Sequence, residues 1–465
     1  MIKEEVAKSS LDAVLIKGGD FADIFAEERE TTQISLEDGK IESFTSGIDT
    51  GAGLRVISAD STFFTYTESL KDESIMKSAA ELAEAFKDRM SSSQEQRIIS
   101  LKKSHPPVTH KVLVSPASVD RGKKADILKR ADKEARAVSP HVKQVTVSLN
   151  DIIQRVSIVN SEGLFAQDVR VLTRLFVHVV AVKDDVTKTG YEAPGIAGGY
   201  ELFDEEGPEG IARKAAERAI TMLDAKPAPS GEMPVVLASG TSGVLFHEAC
   251  GHGLEADAVR KGASVFAGKE SRLIAAEIVS AADDPTAPNR WGSFSFDDEG
   301  TPAAMNVLIE NGVMKSLMYD RLSAFQLKAK PTSNGRRQSF RFIPQPRMTN
   351  TFIMPGTDKK KDMFEGIEKG LYAVSLGGGE VNPATGDFVF GVTEGYLIEN
   401  GQVKNPVEGA VLIGNGPRIL LDIDRIAGDL KFDTGMCGKG GQSVPAGTGQ
   451  PTMRIKRLTV GGTGS

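Results

Sequence analysis

The sequence has few of the features that mark secreted or membrane-spanning proteins. It contains only two cysteines, Cys250 and Cys437, and no run of about 18 apolar residues that would cross a bilayer. Residues 1–5 are charged in part and do not begin an apolar signal-peptide core. Two cysteines in such a chain are expected to be reduced thiols. These absences predict a cytoplasmic protein without a membrane segment.

The sequence also lacks an excess of positive charge. The formal net charge of the 465 residues is -7, and the pI is near 5.6. A protein that grips nucleic acid directly usually carries a basic surface, which this composition does not favour. We therefore expect no direct nucleic-acid binding. The length is sufficient for two to four domains.

The order of the predicted elements indicates an α+β fold. Helical and strand-like segments alternate up to the segment 225–231, which is rich in proline and small residues and predicts a domain boundary. Beyond it, short strand-like runs dominate. We expect a mixed N-terminal α/β domain at 1–230 and a β-rich C-terminal domain at 231–465 that carries the metal-site helix. Polar residues 91–116 predict a connecting loop.

Turn-forming residues predict several hairpins. Asp38-Gly39, Asn311-Gly312 and Asn400-Gly401 each stand between strand-like runs, and such pairs supply the positive φ angles of a type I′ turn. Glycine is concentrated in the last third of the chain, as in 377–379 and 438–449. This concentration predicts many tight turns between short strands.

One short segment is typical of a metal site. His247 and His252 are two of only six histidines, and Glu248 directly follows the first. Neutral imidazole binds zinc, and an adjacent glutamate can take a proton from water at the metal. The segment follows a strand-like run at 234–238 and a turn with helix N-cap residues at 239–243.

The spacing of the two histidines predicts an irregular helix. Residues five apart lie about 140° apart around a regular α-helix, so they could not share one metal ion without distortion. A widened turn of the π type would bring them together. Gly251 and Gly253 would tolerate unusual dihedral angles there. We therefore predict a widened or broken helical turn between His247 and His252.

The third metal ligand is left open by the residues alone. A catalytic zinc usually has three protein ligands, and the candidates are Cys250, Glu255, Asp257, Asp433 and Cys437. Cys250 favours a role as a small buried hydrophobe, because three ligands in one turn would strain the geometry. Cys437 lies between glycines, which allow its backbone to approach a site closely.

Several further segments complete a resemblance to a known family. The segment 247–255 resembles the H-E-x-x-x-H segment of the TldD side of the TldD/PmbA family, called modulators of DNA gyrase. The resemblance covers nearly the whole chain, and these segments carry it: 297–301, 334–337, 346–351, 376–379, 435–439, 444–452 and 458–463.

The resemblance implies a zinc-dependent peptidase. Its Zn²⁺ ion would be held by His247, His252 and Cys437, with Glu248 as the catalytic base. It also implies a mixed α/β domain followed by a β-rich domain, and a dimer, either of identical chains or with a TldE/PmbA-like subunit that lacks the H-E-x-x-x-H segment. The expected substrates are short peptides or unfolded polypeptides.

Two other functions remain open. The first is a non-enzymatic peptide- or protein-binding modulator, of the gyrase or toxin-antitoxin type, whose structural metal would need a fourth ligand. The second is an iron oxidoreductase, which two histidines and a carboxylate would favour but a thiolate does not. Arg336, Arg337 and Arg347 could grip a substrate carbonyl or carboxylate, although for each of them a fold-bracing role is the favoured interpretation.

Overall fold

The computed structural model describes residues 1–16, 18–59, 61–86, 100–105 and 110–462. It confirms a mixed α+β fold with a β-rich C-terminal region. Residues 91–99 and 106–109 of the predicted loop lie outside the described residues, and Lys102–Ser104 forms a short strand. The α-helices are α1 (Glu4–Leu15), α2 (Asp72–Phe86), α3 (Arg121–Ala137), α4 (Gly207–Met222), α5 (Val244–Phe246), α6 (Ala256–Arg260), α7 (Arg321–Leu327) and α8 (Gly416–Asp422).

The first sheet is built mainly from long antiparallel strands. Its order is β3-β2-β1-β5-β6-β4, and β7 and β8 also pair with β6. Asp38 and Gly39 have φ angles of 47° and 78°, which confirms the predicted turn between β1 and β2. The strands are β1 (Phe21–Glu37), β2 (Lys40–Ser58), β3 (Ser61–Thr67), β4 (Lys102–Ser104), β5 (Val142–Asn160), β6 (Leu164–Lys183), β7 (Val186–Glu192) and β8 (Gly195–Ile196).

Helices cover the apolar side chains of this sheet. Helices α1 and α2 share a core with β1 and β2, whereas α3 and α4 share one with β5 and β6. The alternation of buried and half-buried residues along β6 is the period-two pattern of a strand with one covered face. The described part of the chain contains no helix that is both long and apolar enough to cross a membrane.

The second sheet surrounds the largest core. Its order is β17-β10-β24-β20-β18-β19-β9, β21 pairs with β24, and β17 also pairs with β18, so five strands close a ring. The segment with the two histidines follows β10 directly. The strands are β9 (Lys226–Pro227), β10 (Gly231–Leu237), β17 (Lys369–Val381), β18 (Asp387–Glu399), β19 (Gln402–Glu408), β20 (Val411–Asn415), β21 (Ile423–Ile426) and β24 (Met453–Gly461).

The third sheet carries Cys437 at one end. Its order is β13-β12-β11-β16-β23-β22, and a separate pair joins β14 to β15. Both predicted Asn-Gly hairpins are confirmed, since φ is positive at Asn311, Gly312, Asn400 and Gly401. The strands are β11 (Ala281–Asp283), β12 (Asn306–Glu310), β13 (Val313–Met314), β14 (Gly335–Arg336), β15 (Gln345–Pro346), β16 (Asn350–Ile353), β22 (Lys431–Lys439) and β23 (Gln442–Gln450).

The expectation of short strands between glycine turns was wrong for two glycine-rich segments. Residues 377–379 lie inside the long strand β17, and most glycines of 438–449 lie within β22 and β23. Close packing explains them. A Cβ atom on Gly447 would stand 2.4 Å from Oδ1 of Asn350, and one on Gly379 would stand 2.2 Å from the ring of Phe390. These glycines provide space for neighbours, which a sequence pattern does not distinguish from turns.

Buried charges join the first sheet to the C-terminal half. Arg55 on β2 pairs with Asp23 on β1 and, across 2.7 Å, with Glu299. Nη2 of Arg337 lies 3.4 Å from the Asp23 carboxylate. Arg337 thus has the fold-bracing role that we favoured for it. A buried pair that loses one partner leaves an uncompensated charge, so this network ties the two halves of the chain together.

Candidate metal centre

The backbone between the two histidines forms a widened turn, as predicted. Helix α5 passes into a π-helical turn at His247–Gly251 and then into a 3-10 turn at His252–Leu254. The amide of His252 donates to the carbonyl of His247, which is the i to i+5 bond of a π turn. The extra residue in the turn carries His252 around to the side of the helix on which His247 lies.

The reason that we gave for the glycines in this turn was wrong. Gly251 has φ −57° and ψ −49°, an ordinary right-handed helical conformation. A Cβ atom on Gly251 would stand 2.3 Å from Sδ of Met348, and one on Gly253 would stand 2.9 Å from the ring of Phe266. Both glycines are therefore required by close packing against the turn and not by backbone strain.

The fold brings His247, His252 and Cys437 together. One ligand atom from each residue lies within 4.8 Å of the other two. Sγ of Cys437 is 3.5 Å from Nε2 of His252, and the imidazole rings of the two histidines are 5.3 Å apart and nearly perpendicular. His247 and Cys437 are buried, and His252 is largely so.

Strand β22 presents Cys437 to the histidines. Cys437 pairs with Val444 on β23, so the β22–β23 hairpin holds it in register. The guanidinium of the fully buried Arg347 donates hydrogen bonds to the carbonyls of Cys437 and Gln442. Arg347 therefore fixes the backbone of the candidate ligand from behind, which agrees with the bracing role we favoured for this residue.

The electrostatics of the cluster favour a thiolate. Burial opposes ionisation of Cys437, but the imidazoles of His247 and His252 outweigh burial and lower the pKa of the thiol to about 4. Burial also opposes protonation of His252, yet Glu255 and Cys437 together raise the pKa of this imidazole. The cluster thus offers the deprotonated sulfur that a soft cation binds.

Glu255 is held against the second histidine. Its Oε2 atom lies 3.0 Å from Nδ1 of His252, and Nζ of Lys439 lies 2.9 Å from the same carboxylate. Burial works against the charge of Glu255, but His252 and Lys439 overcome it and lower its pKa to about 2. A carboxylate on Nδ1 fixes the tautomer that leaves Nε2 facing the cluster. The sequence pattern suggests Glu255 only as a possible third ligand, whereas its position three residues after His252 is the signal for this orienting role.

The other candidates for a third ligand lie elsewhere. Cys250 is completely buried in the second sheet's core, and burial raises the pKa of its thiol, which confirms a role as a small hydrophobe. Asp257 accepts a hydrogen bond from Lys439 at 2.6 Å. Asp433 is half-buried, and desolvation raises its pKa despite the nearby charge of Arg174. Within the described parts of the chain, only Cys437 among the five candidates joins the two histidines in one group.

The donor set fits a zinc ion. Two imidazoles and one thiolate suit a borderline-soft, tetrahedral cation and leave one position for water or substrate. Nδ1 of His247 is buried and has no hydrogen-bond partner among the described residues. A buried polar atom without a partner is costly, and a cation bound to this nitrogen would give it one.

Glu248 is a second carboxylate beside the cluster, and unlike Glu255 it is open to solvent. Its Oε2 atom is 3.7 Å from Nε2 of His252, and 36% of its side chain is exposed. It is thus close to the candidate ligands and also open to solvent. A carboxylate so placed can exchange a proton with water that enters the site.

Family models match three consecutive parts of the chain. Residues 22–86 match domain 1, residues 114–223 the central domain and residues 230–462 the C-terminal domain of the PmbA/TldA metallopeptidases. Together these parts cover most of the chain, including every residue of the candidate centre.

Curated relatives are similar over nearly their full length. The chain is 37% identical to the metalloprotease TldD homologue of Haemophilus influenzae and 36% identical to that of Buchnera aphidicola, in each case over 96% of this chain and 93% of the relative. It is 30% identical to the zinc metalloprotease TldD homologue of Saccharolobus solfataricus, over 96% of this chain and 97% of the relative.

Solved structures share the fold. A candidate modulator of a DNA gyrase from Thermotoga maritima superposes with a TM-score of 0.81 and 23% identity, over 99% of this chain and 100% of that one. TldE from Thermococcus kodakarensis superposes with a TM-score of 0.77 and 19% identity, over 98% and 99%. The three family models and the identity to the metalloprotease relatives show that this chain belongs to the PmbA/TldD family of metallopeptidases.

Proposed function

We propose that the protein is a zinc-dependent peptidase in which His247, His252 and Cys437 hold Zn²⁺ and Glu248 is the catalytic base. The convergence of two imidazoles and a thiolate from distant parts of the chain, with a half-exposed carboxylate 3.7 Å from His252, carries the proposal. The name of the Saccharolobus solfataricus relative supports zinc as the metal.

In this proposal, bound zinc supplies Lewis acidity towards water and towards the peptide carbonyl. Oε2 of Glu248 takes a proton from the attacking water and later returns it to the leaving amine. Glu255 keeps the imidazole of His252 in one tautomer and orientation, and Lys439 keeps the charge of Glu255 in place. Glu255 and Lys439 are positioning residues, whereas Glu248 acts on the reacting atoms.

We propose short peptides and unfolded polypeptides as substrates. Among the described strands, β22 is the last strand of the third sheet, so one of its edges is free of a strand partner, and it carries Cys437. An extended peptide that pairs with such an edge is bound mainly through its backbone. This mode requires an unfolded chain and imposes little side-chain preference.

The test is zinc content together with hydrolysis of an unstructured peptide. We expect about one zinc per chain in the wild type, loss of zinc and of hydrolysis in Cys437→Ala, and loss of hydrolysis with retained zinc in Glu248→Gln. Cys250→Ala is the matched control, because it removes the other thiol outside the cluster and should retain zinc. Hydrolysis by Glu248→Gln at the wild-type rate would refute the role of Glu248.

A structural metal in a non-enzymatic modulator is less well supported. A closed structural zinc site needs four protein ligands. Within the described residues, no fourth histidine, cysteine or carboxylate belongs to the group of three. Zinc bound by the wild type without hydrolysis of any unstructured peptide, with or without a partner subunit, would favour this alternative.

We further propose that the protein acts in the cytoplasm as a dimer, either of identical chains or with a TldE/PmbA-like subunit, and without binding nucleic acid directly. The net charge of -7 supports the absence of direct nucleic-acid binding, and the two free cysteines are typical of a reducing compartment such as the cytoplasm. Sedimentation of the purified chain, alone and after co-expression with such a subunit, tests the assembly. A monomer in both experiments would refute it.

We also retain the division into domains 1–230 and 231–465 as a proposal. The first sheet lies within residues 21–196, and the second and third sheets lie within 226–461. Hydrogen exchange would test it, because amides within one domain should share an opening free energy that differs from that of the other.

A further inference from the structure

A cavity lies where the first sheet meets the β22–β23 hairpin. It is lined on one side by strands of the first sheet and on the other by the hairpin and by residues near Arg336. We call it the arginine cavity. The lining residues that matter here are Arg29, Trp291, Phe294, Arg336, Met436 and Pro445.

Arg336 is a buried cation without a carboxylate partner. Only 7% of the residue is exposed. Nη1 donates to the carbonyl of Met348 at 2.6 Å, and the guanidinium lies 5.3 Å from the ring centre of Phe294. Among the described residues no aspartate or glutamate forms an ion pair with it. Burial lowers the pKa of Arg336 to about 10, although Asp298 opposes this shift. A buried charge without a direct partner is costly, and an anion bound beside Arg336 would offset this cost.

Arg29, on the opposite wall, is a second arginine without an ion-pair partner among the described residues. It is half-buried on β1, and its Nη1 atom lies 3.5 Å from the carbonyl of Gln338. Nε of Arg29 is buried and finds no hydrogen-bond partner in the described residues, and the residue forms no ion pair with any of them. Two guanidinium groups that form no direct ion pair with a described carboxylate thus line one cavity.

The remaining arginines of the cavity are already neutralised. Arg170 pairs with Asp298 at 2.6 Å, and Arg337 lies 3.4 Å from the carboxylate of Asp23. Asp298 is the one carboxylate among the lining residues, and its Oδ1 atom accepts a hydrogen bond from Arg170. The lining of the cavity holds four arginines and one aspartate, so its wall carries an excess of positive charge.

We propose that the arginine cavity is an anion site that binds a carboxylate of the peptide substrate, in the first place the C-terminal carboxylate. This inference rests on the proposed peptidase function. The planar fork of a guanidinium matches the two oxygens of a carboxylate. The ring of Phe294, together with Met436 and Pro445, forms an apolar wall beside the guanidinium groups.

The cavity and the candidate metal centre share strand β22. Met436 directly precedes the candidate ligand Cys437 on β22. Nε1 of Trp291 donates to the carbonyl of Gly435 at 2.9 Å, so the cavity wall is bound to the same strand. A peptide paired along the edge of β22 would reach both places. The carboxylate would then fix how far the chain extends past the metal, and the enzyme would favour bonds near the C-terminus.

Trp291 provides a direct readout of occupancy, because it is the only tryptophan of the 465 residues. The protein for the test is zinc-loaded Glu248→Gln, in which substrate should bind without turnover. Its fluorescence is titrated with a tryptophan-free peptide that has a free C-terminus, and with the same peptide as its C-terminal amide. We expect the free acid to bind about tenfold more tightly, as a charge-assisted contact would produce.

Two substitutions locate the effect. Arg336→Met retains most of the side-chain length, and Arg29→Gln changes a half-buried position, so one of them is expected to fold even if the other does not. Each should abolish the preference for the free acid. Arg425→Gln is the control, since that arginine lies near Asp358 and Glu365 and does not line the cavity.

The outcomes separate this site from the peptidase proposal. Equal binding of acid and amide by the unsubstituted protein, or an unchanged preference in folded Arg336→Met and Arg29→Gln, would overturn the anion site. Tight binding of an amidated peptide that has an acidic side chain would support the anion site, with the side-chain carboxylate as the bound group. Hydrolysis by the wild type without any preference for the acid overturns the site and leaves the peptidase. A preference for the free acid without hydrolysis by the wild type would support the anion site and overturn the peptidase proposal.

Discussion

The carboxylate of Glu255 lies 3.0 Å from Nδ1 of His252, on the side of the imidazole that faces away from Cys437. The buried glutamate is paired in turn with Lys439, two residues after Cys437 on the same strand. His252 and Cys437 are thus connected through Glu255 and Lys439 as well as through their direct contact.

Replacing Glu255 by glutamine should weaken zinc binding about 10- to 100-fold, because the imidazole loses the carboxylate that orients it and raises its basicity. Competition with a chelator measures this change. Asp257→Asn is the matched control, since Asp257 bonds to Lys439 but not to His252. Equal losses in both variants would indicate that Lys439, rather than the bond to His252, determines the affinity.

Removal of zinc should lower the stability of the protein. A metal that binds only the folded chain stabilises it by about 4 kcal/mol when its free concentration is 1,000 times the dissociation constant. Differential scanning calorimetry with and without a chelator should therefore show a lower Tm after chelation. Cys437→Ala should show no such response, and an equal response in that variant would refute a metal held by Cys437.

Substituting alanine for Gly251 should destabilise the turn between the histidines. The added methyl group would stand 2.3 Å from Sδ of Met348, and overpacking of this kind costs about 1–3 kcal/mol. Chemical denaturation and zinc content measure the effect. Met348→Ala in the same chain should restore part of the loss. Gly391→Ala is the control, because the nearest atom to its Cβ would be 3.9 Å away.

Asp320 should make the protein less stable as pH rises from about 4 to 7. Burial, and then the charge of Glu299, raise the pKa of Asp320 from its ordinary value of 3.8 to about 7. The folded state therefore binds this proton more tightly than the unfolded state does, and the resulting stability is full below pH 3.8 and is lost as pH rises through 7.

The variant Asp320→Asn tests this dependence. Asparagine can still cap helix α7, where the Asp320 side chain accepts from the amide of Ser323. Denaturation at several pH values should show a smaller decline of the unfolding free energy between pH 4 and 7 than in the wild type. An identical decline would assign the dependence to another buried acid, such as Asp297.

The sequence alone predicted those features that depend on neighbouring residues. The spacing of His247 and His252 required a widened turn if both were to face one ion, and the π-helical turn is present. Asp38-Gly39 and the Asn-Gly pairs predicted their hairpins, because the conformational preferences of two residues decide such turns. The buried role of Cys250 also followed from its place within that turn.

Tertiary packing decided what depends on residues far apart in the chain. The residues alone did not choose Cys437 over Asp257 or Asp433, and only the resemblance indicated it, since the register of the β22–β23 hairpin brings Cys437 to the histidines. The partnership of Glu255 with His252 and Lys439, the need for space at Gly251, and the unpaired charge of Arg336 all arise where separate elements meet. Contacts of that kind follow from the packing of whole sheets, and local residue patterns do not predict them.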